Sequence, residues 1–307
     1  MVQIVKYRNI YYAISGTLIA LSVFAFLFWG LKLGIDFKGG SLLFGEFSIS
    51  APANNDIQDA LIKIDVGETI IQQTGERGVI LRFKEVDEPK HQEILKVLED
   101  LAAKQDKNAF TQKSFESVGP SIGKELQSKS ITAGMLVLSL VIGYIAFAFR
   151  GVSYPLASWK YGIATLAALF HDIIIPIGLF AVLGHFYNIE ISSGFIAAIL
   201  TVLGYSVHDS IIVFDRIREN LIKHHGRTFD ETVNISINQT FVRSINTSLT
   251  VILVLLSIYF LGGESIKYSA LALMVGVGVG TYSSIFIGST ILTSWYAYMY
   301  ANPSKRK

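Results

Sequence analysis

The spacing of the apolar runs constrains this chain more than any other feature. Six stretches are long enough to cross a bilayer, and one long polar segment interrupts them after the first. They run from Tyr11 to Leu31, Ile131 to Phe149, Trp159 to Leu183, Ile191 to Phe214, Ile245 to Leu261 and Tyr268 to Tyr296. A helix rises about 1.5 Å per residue and a hydrocarbon core is about 30 Å thick, so roughly 20 apolar residues make one span. Lipid offers no partners to backbone polar groups, so each run is expected to be a helix. Charged residues make up 16% of the 307, well below the soluble norm of about a quarter. The first run follows Lys6 and Arg8, as a secretory leader would. Its length, and the lack of a small-residue cleavage site around Gly30-Leu31-Lys32-Leu33, favour a retained helix.

The layout that follows is a first transmembrane helix (1–35), a soluble domain (36–129), a five-helix bundle (130–300) and a basic tail (301–307). Basic residues in short loops set the orientation. One side carries Lys6 and Arg8, Arg150 and Lys160, the group Arg216, Arg218, Lys223 and Arg227, and then Lys305, Arg306 and Lys307. The other has none between His185 and Glu190, and only Lys267 between Gly262 and Lys267. The basic side, with both termini, reads as cytoplasmic, and the soluble domain as exported.

The soluble domain reads as strand Gly40–Ser48, helix Asn54–Ile64, a hairpin of Glu68–Thr74 and Val79–Lys84 turned near Gly75–Gly78, helix Pro89–Lys104 and strand Ala109–Val118. Ala60, Leu61 and Ile64 form an apolar stripe on the first helix. Ile94, Leu95, Leu98 and Leu101 form one on the second, which carries Pro in its first turn. The order βαββαβ predicts a ferredoxin-like α+β module, used for binding or leverage rather than catalysis.

Several chemistries are excluded. With no cysteine there is no disulfide, no thiolate nucleophile and no Cys-based zinc site. No His-Glu-x-x-His is present, so metal-assisted hydrolysis is not expected, and no metal or cofactor is called for. A net charge of +2, without basic runs interleaved with aromatics, argues against nucleic acid. Gly276, Gly278 and Gly280 lack the strand context and the following basic residue of a nucleotide loop. The chain is not expected to be an enzyme.

Polar residues inside the spans are therefore the functional candidates, because an ionisable group at membrane depth costs about 2.5–3.5 kcal/mol or more. Asp209 lies in the fourth span and shares a helix face with Tyr205, Ser206, Ile212 and Arg216. Low dielectric disfavours a charged carboxylate, so a group there is poised to gain and lose a proton. A neutral, hydrogen-bonded structural Asp is the alternative. In the fifth span Gln239, Arg243, Asn246 and Thr250 form one polar stripe, expected to enter the bundle interior. There Arg243 would be the counter-charge of Asp209; the alternative for Arg243 is a snorkelling anchor. The third span carries His171 and Asp172 near its centre, candidates for the same proton pathway or a satisfied structural pair. In the sixth, Gly276, Gly280, Ser284 and Gly288 recur every fourth residue, a helix-packing pattern.

Four stretches together resemble the SecF branch of the SecD/SecF family, within the RND superfamily. They are Gly34-Ile-Asp-Phe-Lys-Gly-Gly40, Gly204 through Asp209 to Asp215-Arg216-Ile-Arg218-Glu219-Asn220, Asn238 through Arg243 to Thr247-Ser-Leu-Thr250, and Gly280 through Ser284 to Gly288. The resemblance covers essentially the whole chain. It implies a six-span membrane protein of the bacterial inner membrane, with a periplasmic domain, that pairs with SecD. It implies association with the SecYEG channel and SecA, often with YajC, and contact with the translocating polypeptide. Proton-motive force would drive the exported domains. The family's proton-path residues match Asp209 and Arg243, and a further acidic residue belongs to SecD. Ser210 and Phe241 stand where the family pattern suggests Thr and Leu. A small-molecule or lipid exporter subunit and a scaffold for SecD are the competing readings.

Overall fold

The computed structural model describes residues 2–105, 108–148, 156–223 and 226–301. Phe149, Arg150, His224, His225 and the basic residues Lys305, Arg306 and Lys307 lie outside the described residues. The chain divides into a helical unit, Met1–Lys32 with Thr132–Lys307, and a second unit, Leu33–Ile131.

The second unit begins with the single-turn helix α2 (Ile35–Lys38), which Gly39 ends at φ 79°. Glycine is needed there twice over. The left-handed φ disfavours a side chain, and a Cβ would stand 2.8 Å from the Pro120 backbone. Next come β1 (Gly40–Phe47), α3 (Asn54–Ile62), β2 (Ile70–Thr74), β3 (Gly78–Phe83), α4 (Glu88–Ala103) and β4 (Phe110–Val118). The strands form an antiparallel sheet in the order β2-β3-β1-β4. That is the ferredoxin-like arrangement the element order predicts. Asp87 caps α4 by accepting from the Lys90 amide at 3.1 Å, and Pro89 occupies its first turn.

One face of the sheet packs on the two helices. Leu43, Phe47, Val79, Leu81 and Phe83 meet Ile57, Leu61, Ile94, Leu98 and Ala102. Each fully buried aliphatic or aromatic side chain here contributes roughly 1.5–3 kcal/mol. On α3 Leu61 is buried, Ile64 just beyond the helix packs against the same core, Ala60 is half-buried, and Ile57 completes the face. The helix stops at Ile62, so Ile64 has left the helical period.

Among the described residues, six helices are long and apolar enough to cross a membrane. They are α1 (Arg8–Trp29, entered through a short 3-10 turn at Val5–Tyr7), α5 (Pro120–Ala148), α6 (Ser158–Tyr187), α7 (Ser193–Lys223), α8 (Phe229–Leu261) and a composite sixth. The sixth consists of α9 (Glu264–Ser283), a π-helical turn (Ser284–Gly288) and α10 (Ser289–Ala301). Helix α5 starts at Pro120, well before the apolar run at Ile131, because proline suits a helix's first turn and the polar residues that follow continue the helix.

Helix α1 packs along α6, where a Cβ at Gly178 would overlap Ser22. Helices α7, α8 and α9 pack on one another, and α7 and α9 also pack on α6. The extended segment before α1 is pinned to α8: Asn234 Oδ1 accepts from the Ile4 amide at 2.8 Å, and Asn238 bonds both polar groups of the Val2 backbone. Thr228 and Glu231 close a reciprocal capping box at the start of α8. Helix α5 exposes Ile131, Met135, Leu136, Leu140, Tyr144 and Phe147.

Candidate functional site

Asp209 sits mid-way along α7 and is 3% exposed. Helix α7 carries it inward because Val202, Ser206, Val213 and Ile217 bury the same side of the helix. One carboxylate oxygen, Oδ1, accepts from the Ser244 hydroxyl of α8 at 3.1 Å. The other, Oδ2, is buried and has no hydrogen-bond partner among the described residues. Leaving such an oxygen bare costs about 1–3 kcal/mol, and more when it is charged. Buried unsatisfied groups of this kind concentrate where chemistry or an exchanging proton needs them.

A second buried carboxylate lies on α6. Asp172 is fully buried, and three donors surround it. His171 Nδ1 lies 2.8 Å from Oδ1, while the Ser206 and Ser283 hydroxyls donate to Oδ2 at 2.5 and 2.7 Å. Both members of the pair thus face inward, and three helices converge on one carboxyl group. The ring of His171 lies against Tyr282, with centroids 6.0 Å apart, and its Nε2 is buried without a partner among the described residues. Pro176 adds a local disturbance: lacking an N–H, it cannot close the helical hydrogen bond to the carbonyl of Asp172, four residues earlier.

The expected pairing of Arg243 with Asp209 is not made within this chain. Arg243 is exposed, as are Gln239, Asn246 and Thr250, so the polar stripe faces outward from the helical unit. The reason is a competing stripe. Ser236, Thr240, Ser244 and Ser248 also recur every fourth residue on α8, and their small side chains let α7 and α9 approach. That row takes the interior, and Ser244 reaches Asp209 from it. Gln239 instead accepts from Arg216 at 2.7 Å and from Asn220 at 2.8 Å near the end of α7. Tyr205 meets the Ser248 hydroxyl at 3.0 Å, and Ser248 in turn meets Thr281 of α9.

The small residues of the sixth span line its contact with α7. A Cβ at Gly276 would overlap Val202, and one at Gly280 would crowd Ser206 and Asp172. Ser284 exchanges a hydrogen bond with Ser210 at 2.9 Å, and Gly288 lies against the Phe214 ring. Sequence reasoning did not find Ser244, Ser248, Thr281 or Ser283. Their signal, hydroxyls at four-residue spacing on facing spans, is present but faint beside a charged neighbour. No cluster of three or more His, Asp or Glu side chains able to hold a metal occurs among the described residues.

Residues 97–298 match the family described as protein export membrane protein SecD/SecF, C-terminal. A protein translocase subunit SecF of Thermobaculum terrenum is 42% identical over 96% of this chain and 94% of its own length. One from Anaerolinea thermophila is 36% identical over 100% of this chain and 98% of its own. Among solved structures, SecDF of Thermus thermophilus, described as a translocon-associated membrane protein, superposes with a TM-score of 0.76 at 34% identity. It covers 95% of this chain, which spans 38% of that longer polypeptide.

Proposed function

The chain belongs to the SecF family of protein translocase subunits, and from that premise we propose that it pairs with SecD and couples proton-motive force to protein export. In this reading it lies in the bacterial inner membrane with both termini cytoplasmic and residues 36–129 in the periplasm. It works beside the SecYEG channel and SecA, with YajC as a further associate, and its exported domain handles emerging polypeptide. It acts as a transport component and not as an enzyme.

One observation carries the reading. Asp209 is buried among spans with one carboxylate oxygen bare among the described residues, while Arg243, one residue before its hydrogen-bond partner Ser244, points out of the chain. An outward arginine on a membrane helix calls for an acidic or polar partner on another subunit, since a lone charge in lipid is costly. A SecD-type partner bearing a buried carboxylate supplies it. Asp209, Arg243, Asp172 and His171 are then the proton pathway. The stripe Gln239, Asn246 and Thr250 becomes interface, and Tyr205 and Ser206 support the acids from α7.

A proton arriving at Asp209 removes the charge that Ser244 solvates and so changes which packing of α7 against α8 is favoured. A change of that kind moves the equilibrium only by its differential free energy between two states. Reconstitution of the chain with a SecD partner tests this. Asp209→Asn and Arg243→Ala are expected to abolish proton-driven export while assembly persists. Normal export in both variants would leave only a scaffold.

A further inference from the structure

The sixth span touches both buried carboxylate centres, from opposite faces. Thr281 meets Ser248 on the α8 side, where Ser248 also donates to the carbonyl of Ser244, the residue that holds Asp209. Two positions later, about 200° around the helix, Ser283 donates to Asp172 on the α6 side. The next residue, Ser284, opens the π-helical turn, and its hydroxyl joins Ser210, the neighbour of Asp209. Ser289 caps the turn by donating to the Ser284 carbonyl at 2.9 Å. π turns are rare and occur frequently at functional sites.

The Ser283 hydroxyl has one hydrogen and two acceptors in reach: Asp172 Oδ2 at 2.7 Å and the Gly280 carbonyl of its own helix at 3.0 Å. We propose that Ser283 and Ser284 are positioning residues that tie the protonation of Asp172 to the register of the sixth span, and through Ser284 to Asp209. This rests on the ion-coupling reading above and adds residues that reading does not contain. An ionised Asp172 uses all three of its donors. A proton bound there turns one acceptor oxygen into a hydroxyl and frees Ser283 for Gly280, and the π turn that follows loses its anchor on α6. The only covalent change is one proton transfer: an O–H bond of a hydronium ion breaks, leaving water, as the carboxyl O–H forms. The titratable group bonded to Asp172 is His171 on its own helix; Tyr282 of α9 lies against the His171 ring and donates its hydroxyl to the Tyr11 carbonyl of α1 at 3.3 Å. Helix α7 presents the uncharged Ser206.

The test uses the full chain with its SecD partner in proteoliposomes and two readouts. Infrared difference spectra on a pH step report the Asp172 carboxyl band, assigned by its loss in Asp172→Asn. Proton uptake on export reports coupling. Ser283→Ala is expected to move the Asp172 band and to lower proton uptake about tenfold, roughly 1.4 kcal/mol, and Ser283→Thr to restore both. Ser284→Ala is expected to lower uptake while leaving the Asp172 band in place. An unmoved band in Ser283→Ala overturns the proposal, as does equal damage by Ala and Thr, which marks simple packing. If Asp209→Asn abolishes uptake and Ser283→Ala does not, coupling stands and the positioning role falls. If Asp209→Asn leaves uptake intact, the ion-coupling reading falls, and the coupling of Ser283 to Asp209 falls with it.

Discussion

Ser244 and Arg243 are adjacent on α8 and point about 100° apart, and that angle decides which of them serves Asp209. The sequence makes Asp209 conspicuous because charge is rare in an apolar run. It makes Arg243 conspicuous for the same reason, so the neutral hydroxyl beside it went unread. Replacing Ser244 with Ala removes the hydroxyl that donates to Oδ1. We expect proton-driven export to fall about tenfold, consistent with roughly 1.5 kcal/mol for a hydrogen bond to a charged group, and less than in Asp209→Asn. Equal loss in both variants would contradict the assignment. In the α+β unit, hydrogen bonds from Gln92 and His91 hold the exposed Glu88 carboxyl below the usual carboxylate range. A depressed folded value contributes stability above the unfolded value and loses it as pH falls through the folded one. The first turn of α4 should therefore exchange its amides faster at about pH 3.5 than at about pH 6, which bracket the ordinary Glu value of about 4.3, after correction for intrinsic rates. Glu88→Gln should flatten that difference, as hydrogen-exchange mass spectrometry of the full chain would report.

At the scale of elements, the strands and helices of the α+β unit were legible because alternation and 3.6-residue periodicity differ, and Gly and Pro mark their ends. Helix α5 was less legible at its start: apolarity finds the membrane portion of a helix, not the polar turns that precede it. The π turn was not legible. It depends on backbone hydrogen bonds shifting from i−4 to i−5, where Ser284 and Ser289 and the α7 residues Ser206 and Ser210 make side-chain contacts. The facing of α8 was half legible. Periodicity exposed the stripe of Gln239, Arg243, Asn246 and Thr250, but a single chain's pattern cannot say which of two polar rows meets a second subunit. Two substitutions separate the rows. Gly276→Leu drives a side chain into Val202 and is expected to weaken the helical unit itself, by about 1–3 kcal/mol from overpacking, measured as a lower unfolding midpoint in detergent. Asn246→Leu on the outward row should leave that midpoint unchanged and reduce copurification with SecD.

Across the whole molecule, the same physics assigns different work to the two units. The α+β unit places its apolar residues on one sheet face and two helices, and Asp87 caps α4 while Ser41 and Ser117 bond between strands. The helical unit buries two carboxylates, a histidine and a ladder of hydroxyls, and keeps an arginine outside on a membrane helix. That inversion is what a subunit of an ion-driven complex requires and what a passive anchor does not. The most direct measurement is proton-motive-force-driven export by the full chain reconstituted with SecD and the translocation channel, comparing the native chain with Asp209→Asn. The account predicts that the variant assembles normally and exports no faster with an imposed proton gradient than without one. Export that still accelerates with the gradient in Asp209→Asn would contradict it.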